Sequence, residues 1–204
     1  MKSKFAAVII AFVAALAGLW LASFWMGPKP VHLQSGTLLN PPRTLSDFSL
    51  TDGKGQPFTK ASLLGHWTLL YPGYTSCPDV CPTTLAMLKA LDANLTKSGH
   101  KLSVVFLSID PARDTPVRLA TYVHFFNPDF TGVTAQEPAL AQFTRMLGIA
   151  YLKVPGKTPE TYEMDHSSGL ILFDPQARYT AFFSAPQKLE VLAADLAALM
   201  DARS

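Results

Sequence analysis

The sequence predicts an α/β fold: a three-layer α/β/α sandwich with a mixed central sheet, preceded by one N-terminal transmembrane helix. Three observations predict it. A charge-free apolar run fills residues 5–26. Beyond it, apolar strand-like runs alternate with amphipathic helical stretches, the pattern of a sheet covered on both faces. Near the end, two strand-like runs are separated by only D-P-Q-A (174–177), so that pair is antiparallel and the sheet mixed.

The first element, FAAVIIAFVAALAGLWLASFWM, has Ser23 as its one hydroxyl. As a helix it is about 33 Å long, enough for a hydrocarbon core of about 30 Å. Trp20 and Trp25 suit an interfacial belt, and Lys2 and Lys4 keep residues 1–4 cytoplasmic. A cleaved signal peptide is the rival reading. The run exceeds the apolar core of about 7–15 residues typical of such peptides, and no small-x-small site follows it; Ala15–Leu16–Ala17 lies inside the run. Either reading exports the rest of the chain. The uncleaved anchor places a single-pass protein in a bacterial inner membrane, its soluble domain on the periplasmic or extracytoplasmic side, where disulfides are permitted. The net charge of +2 and the absence of a long basic run argue against nucleic acid as a partner.

Residues 27–45 carry four prolines and little apolar periodicity, so they read as an extended tether. Residues 27–40 are taken as a Pro-containing linker and 41–204 as the domain. In DFSLTDGKGQPFTK (47–60), Phe48 and Leu50 alternate, the glycines turn the chain and Phe58 returns it, which predicts a hairpin. HWTLLYPG (66–73) predicts a buried strand. Leu85, Leu88, Leu91 and Leu95 mark a helix from Pro82 to about Ser98. KLSVVFLSID (101–110) is a second buried strand, and Pro116 opens a helix to about Phe126. A further helix covers 137–147 and stops at Gly148. Strands follow at 149–154, 169–173 and 178–183, then a last helix from Pro186 to Ala202. A sheet that begins βαβ and ends ββα is the layout of a thioredoxin-like domain. There, paired cysteines sit between the first βαβ strand and its helix, which is where Cys77 and Cys81 fall.

These are the chain's two cysteines, spaced C-x-x-x-C between Pro78 and Pro82. On a helix, positions i and i+4 share a face. Pro82 deep in a helix would cost a hydrogen bond, so Cys77 is expected in the loop and Cys81 in an irregular or newly started helix. A helix N-terminus should ease formation of a thiolate here. A structural disulfide would close too short a loop to remove much chain entropy. A redox pair and half of a metal site both remain. His166, expected in the loop before the 169–173 strand, stands where a thiol oxidoreductase of this fold carries a cis-proline. Two thiolates and one imidazole suit Cu(I), with zinc the competitor. A lone histidine before a strand is more often a loop or capping residue.

YPGYTSCPDVCPTTL (71–85), SIDPARDTP (108–116) and DHSSGLILFDP (165–175), in this order, resemble the Sco/SenC family of copper chaperones, from about Gly36 to the C-terminus. The resemblance implies a thioredoxin-like copper-binding domain that assists assembly of the dinuclear copper centre of cytochrome c oxidase. It puts the copper ligands, for Cu(I) or Cu(II), on Cys77, Cys81 and His166. It implies a copper-receiving oxidase subunit as partner, with other periplasmic copper chaperones or thiol reductants. Cys77 and Cys81 would also be the redox disulfide. Asp110, Pro111, Arg113 and Asp114 match the family's D-P-x-R-D element. Ser76 and Pro72 depart from it, standing where many members have histidine and an aromatic residue.

Asp79, between the cysteines, serves either the site's charge and partner surface or a solvated turn. Asp165 is a candidate to orient His166, although adjacent residues usually point apart. Asp110 and Arg113 suit a charged pair near the site; the plainer reading is a local salt bridge of little worth. Met164 reads as packing. Other functions compete. A thiol-disulfide oxidoreductase acting on exported proteins would turn over disulfides without His166. A thioredoxin-like peroxidase would need an activated cysteine beside Thr75 and Arg113. A copper sensor would bind metal without affecting oxidase assembly.

Overall fold

The computed structural model describes residues 2–25, 31–156, 158 and 161–203. Helix α1 runs Lys2–Trp25, with side chains described over 10–21. Among the described residues no helix is long and apolar enough to cross a membrane. The expected anchor at 5–26 lies partly outside them, since residue 26 is not described and twelve side chains span only about 18 Å of helix.

The sheet is built from β1 (Gly36–Thr44), β2 (Ser49–Asp52), β3 (Pro57–Thr59), β4 (Trp67–Gly73), β5 (Leu102–Ser108) and β6 (Thr131–Thr134), with β9 (Leu170–Phe173) and β10 (Arg178–Phe183). The strands between these two groups, β7 (Tyr151–Pro155) and β8 (Tyr162–His166), form a separate two-stranded hairpin. The eight-stranded order is β1-β10-β9-β4-β5-β6-β2-β3, parallel across β4-β5-β6 and antiparallel elsewhere. The expected mixed sheet, with an antiparallel β9–β10 pair, is therefore present.

Period-two alternation explains the two cores. From β4 and β5, Leu69, Tyr71, Val104 and Phe106 face one side, where α2 (Val80–Lys97), α3 (Pro116–Phe126) and α5 (Leu189–Ala202) pack. Leu70, Val105 and Leu107 face the other, against Leu140, Phe143 and Leu147 of α4 (Ala139–Leu147). Leu85, Leu88, Leu91 and Leu95 are all buried, the stripe expected of α2. Thr115 caps α3 by accepting the Arg118 N–H, with Pro116 next to it. Gly148 ends α4 at φ +74°, a conformation that favours glycine.

Three strands were not expected. β1 starts at Gly36, inside the stretch read as linker, and pairs with β10 through a register shift between Leu38 and Arg43. Its prolines are tolerated because it is an edge strand. β6 has four residues, too few to show a period. β8 is polar and half-exposed, so it lacks the apolar signal of a sheet strand. Just before β1, Asp195 of α5, 2% exposed, accepts the Gln34 and Ser35 N–H groups at 2.8 and 2.9 Å and the Ser35 hydroxyl at 2.8 Å.

Candidate metal centre

The β4-to-α2 turn delivers both cysteines. Cys77 is half-buried in the loop, and Cys81, fully buried, is the second residue of α2. Pro82 is the third, where a helix has no use for the missing N–H, so the C-P-D-V-C-P run starts a helix instead of breaking one. The Cys77 sulfur accepts the Cys81 N–H at 3.4 Å, serving as the acceptor at this helix start, while Asp79 makes no side-chain cap. Gly73 is required here: a Cβ would meet the Phe106 ring at 2.6 Å and the Cys81 sulfur at 3.0 Å.

His166 is not in a loop, as its position before a strand suggested. It closes β8, opposite Tyr151. The hairpin brings His166 Nε2 to 4.0 Å from Cys81 Sγ, across 85 residues of sequence. Its Nδ1 lies 2.9 Å from the Ser167 carbonyl oxygen, so Nδ1–H donates there and leaves Nε2 free for the sulfur side. The Tyr74 ring meets the imidazole edge-on at 6.0 Å. Asp165 does not orient His166: it is exposed, opposite Leu152, with its side chain on the other face of the strand. A cleft of about 280 Å³ opens over Cys77 and His166, with Asp79, Glu163, Met164 and Asp165 on its walls. Among the described residues no three His, Cys, Asp or Glu side chains already converge as a metal-holding group.

The expected ease of thiolate formation fails for Cys81. Burial pushes its thiol up to about 12, and the adjacent Cys77 sulfur adds to the shift. Desolvation of a fully buried sulfur outweighs the partial charge of a helix end. Burial also pushes the Tyr71 and Tyr122 phenols up, and both lie close enough to feel the cysteine charges.

The loop after β5 holds the site's surroundings. Asp114, 1% exposed, accepts the Thr75 N–H at 2.9 Å, the Thr75 hydroxyl at 2.5 Å and the Ser108 hydroxyl at 2.6 Å. Arg118 donates to Thr75 Oγ1 at 2.7 Å and to Ser76 Oγ at 3.1 Å, so Ser76 has a partner of its own. Asp110, 3% exposed, pairs with Arg113 and accepts the Tyr162 hydroxyl at 2.8 Å. It is buried and doubly bonded, which fits the charged pair near the site better than the local salt bridge of little worth. Tyr162 and Arg118 stand outside every sequence motif singled out above, and Tyr74 lies within 71–85 without having been given a role there.

The sequence pattern of the SCO1/SenC family matches residues 37–201. A SCO2-like protein of Rickettsia conorii is 33% identical over 189 residues, covering 89% of this chain and 91% of its own. The copper-bound ScoI of Arabidopsis thaliana superposes with a TM-score of 0.73 at 30% identity, over 76% of this chain and 98% of that one. The copper-bound ScoI of Bradyrhizobium japonicum does so with 0.67 at 36% identity, over 74% and 96%.

Proposed function

The chain belongs to the SCO1/SenC family, and from that premise we propose that it is a membrane-anchored chaperone that carries one copper ion on Cys77, Cys81 and His166. It delivers the ion to the copper-receiving subunit of a cytochrome c oxidase, for the dinuclear copper centre. The observation that carries this reading is the approach of His166 Nε2 to Cys81 Sγ, at 4.0 Å, from an element remote in sequence. Donors that far apart are bridged by an ion about 2.0–2.3 Å from each, distances typical of imidazole and thiolate ligands. Cys77 Sγ gives up one weak N–H contact to join them. The relatives of known structure named above are copper-bound.

The donor set dictates the chemistry. Two soft thiolates favour Cu(I) over harder competitors, and the imidazole suits either copper oxidation state. Loading displaces the thiol protons, Cys81's included, so uptake weakens as pH falls. Three protein ligands leave space in the cleft for an incoming ligand from the recipient, and copper passes without being released. Oxidation of Cys77 and Cys81 to a disulfide, with two electrons and two protons passing to an external oxidant, removes both sulfur donors and shuts the site. Where that oxidant is a disulfide of the recipient, the same step reduces the recipient's cysteines to thiols. Helix α1, continuous over Lys2–Trp25 and uncharged in sequence from residue 5, supports the anchor, with the domain on the periplasmic side.

The test is a Cu(I) titration of the reduced protein against a chelator of known affinity. His166→Ala and Cys77→Ser are each expected to weaken binding by about tenfold or more, the order of magnitude of one lost ligand. Unchanged affinity in both variants would falsify the three-ligand site.

A further inference from the structure

The hairpin that carries His166 belongs to no larger sheet. At its base, next to His166, it is held by Ser167 N–H on the Ala150 carbonyl at 3.0 Å and by Ala150 N–H on Ser167 Oγ at 3.2 Å. Its own pairing runs from Tyr151–His166 to Pro155–Tyr162, with the Gly156 N–H on the Thr161 carbonyl at 2.8 Å beyond, and among the described residues no third strand pairs with either edge. Something other than sheet pairing must therefore fix where the distal end lies.

Tyr162 does this through three contacts with one loop. Its hydroxyl donates to Asp110 Oδ1 at 2.8 Å. Its carbonyl oxygen accepts from Arg113 Nη1 at 3.0 Å. Its ring lies under the Arg113 guanidinium, with Cζ 3.7 Å from the centroid. The same guanidinium pairs with buried Asp110 and reaches toward the Tyr74 ring, 5.6 Å away, which itself abuts His166. Asp114, one residue after Arg113, holds the cysteine turn through Thr75. Both halves of the site are thus hooked onto one short loop, 110–114.

We propose that Tyr162, with Arg113 and Asp110, is a latch that sets the hairpin's position and so holds the His166 imidazole over Cys81. The reading of the three residues as a copper site underlies this proposal. Tyr162 and Arg113 touch no copper; they are positioning residues. A planar guanidinium suits the task because it stacks on a ring and donates in two directions at once, which a lysine ammonium does not.

The experiment is hydrogen exchange by mass spectrometry on the full chain in detergent, metal-free and reduced, for wild type, Tyr162→Phe and Arg113→Met. A hydrogen bond to a charged acceptor is worth enough to change a local opening equilibrium by about tenfold or more. Amides of 151–154 and 162–166 are expected to exchange about tenfold faster in both variants, while β9 and α5 keep wild-type rates. Unchanged hairpin exchange overturns the latch, and so does an equal rise throughout the domain. Cu(I) competition then tests its role at the site. Tyr162→Phe should weaken binding less than His166→Ala and add nothing in the His166→Ala background. A loosened hairpin with undiminished affinity overturns the positioning role, as does a full further loss in the double variant. Absence of copper binding in wild type would instead refute the copper-site reading, while the exchange data still judge the latch.

Discussion

Asp114→Asn should loosen the cysteine turn by an amount that can be worked out from its partners. The carboxylate is buried and accepts three hydrogen bonds, two from hydroxyls and one from the Thr75 backbone N–H. Asparagine keeps one acceptor oxygen. With that oxygen on the backbone N–H and Ser108, the new amide faces Thr75 Oγ1, which already accepts from Arg118. The Thr75 hydroxyl proton is left without its acceptor, and the charge that strengthened all three bonds is gone. An unsatisfied buried group and the lost charge assistance together cost about 2 kcal/mol, within a range of about 1–3. The Arg118–Asp114 approach, at 3.9 Å with Arg118 half-exposed, adds little. For a domain of this size, about 2 kcal/mol lowers Tm by about 4–8 °C. Circular dichroism melts of the metal-free, reduced protein read this directly. Asp114→Ala, which removes every acceptor, should melt lower still. The same Asn substitution in a Thr75→Val background should cost less, because the orphaned hydroxyl is already absent. A Tm within about 1 °C of wild type, or an Ala variant more stable than the Asn variant, would refute the reasoning.

Two further outcomes concern the cysteines. Iodoacetamide at neutral pH should label Cys77 well before Cys81: raising a thiol from 9.0 to about 12 lowers its thiolate fraction about a thousandfold, and the sulfur is buried besides. Peptide mapping that finds equal rates refutes it. The same shift links stability to pH. Cys81's folded value lies above its unfolded one, so its contribution is complete below about 9 and is lost as pH rises toward about 12. In urea unfolding, wild type should therefore lose stability relative to Cys81→Ser by at most about 1.4 kcal/mol per pH unit above pH 9; parallel pH profiles would refute this.

The legible part of this protein was what repeats locally. The leucines of α2, the double-faced runs of β4 and β5 and Pro116 at the start of α3 each carry their signal within a few residues. The strands that escaped, β1, β6 and β8, are short, proline-bearing or polar, and exist because something else pairs with them. The site divides in the same way. The cysteine turn can be read from its spacing and prolines. His166 needed a family likeness to stand out, because its approach to Cys81 is made by a hairpin that the pattern did not reveal. Tyr162 on Asp110 and Thr75 on Asp114 link residues 52 and 39 positions apart, and nothing near either partner announces the other. Burial also reversed one expectation, for a helix start that should favour a thiolate loses to the desolvation of Cys81.

The grip of Asp195 on Gln34 and Ser35 fixes where the domain leaves its tether. Eight residues, 26–33, then lie between the end of α1 and that grip, and fully stretched they let it reach at most about 30 Å. If α1 lies in the bilayer as proposed, the leash would be no longer than a compact domain of this size is wide. On the proposed function, the cleft would sweep only a thin layer above the membrane, and its encounter with an oxidase in the same bilayer would become a search in two dimensions. Proximity, set by an aspartate far from the metal, would then replace part of the affinity that a freely diffusing carrier needs.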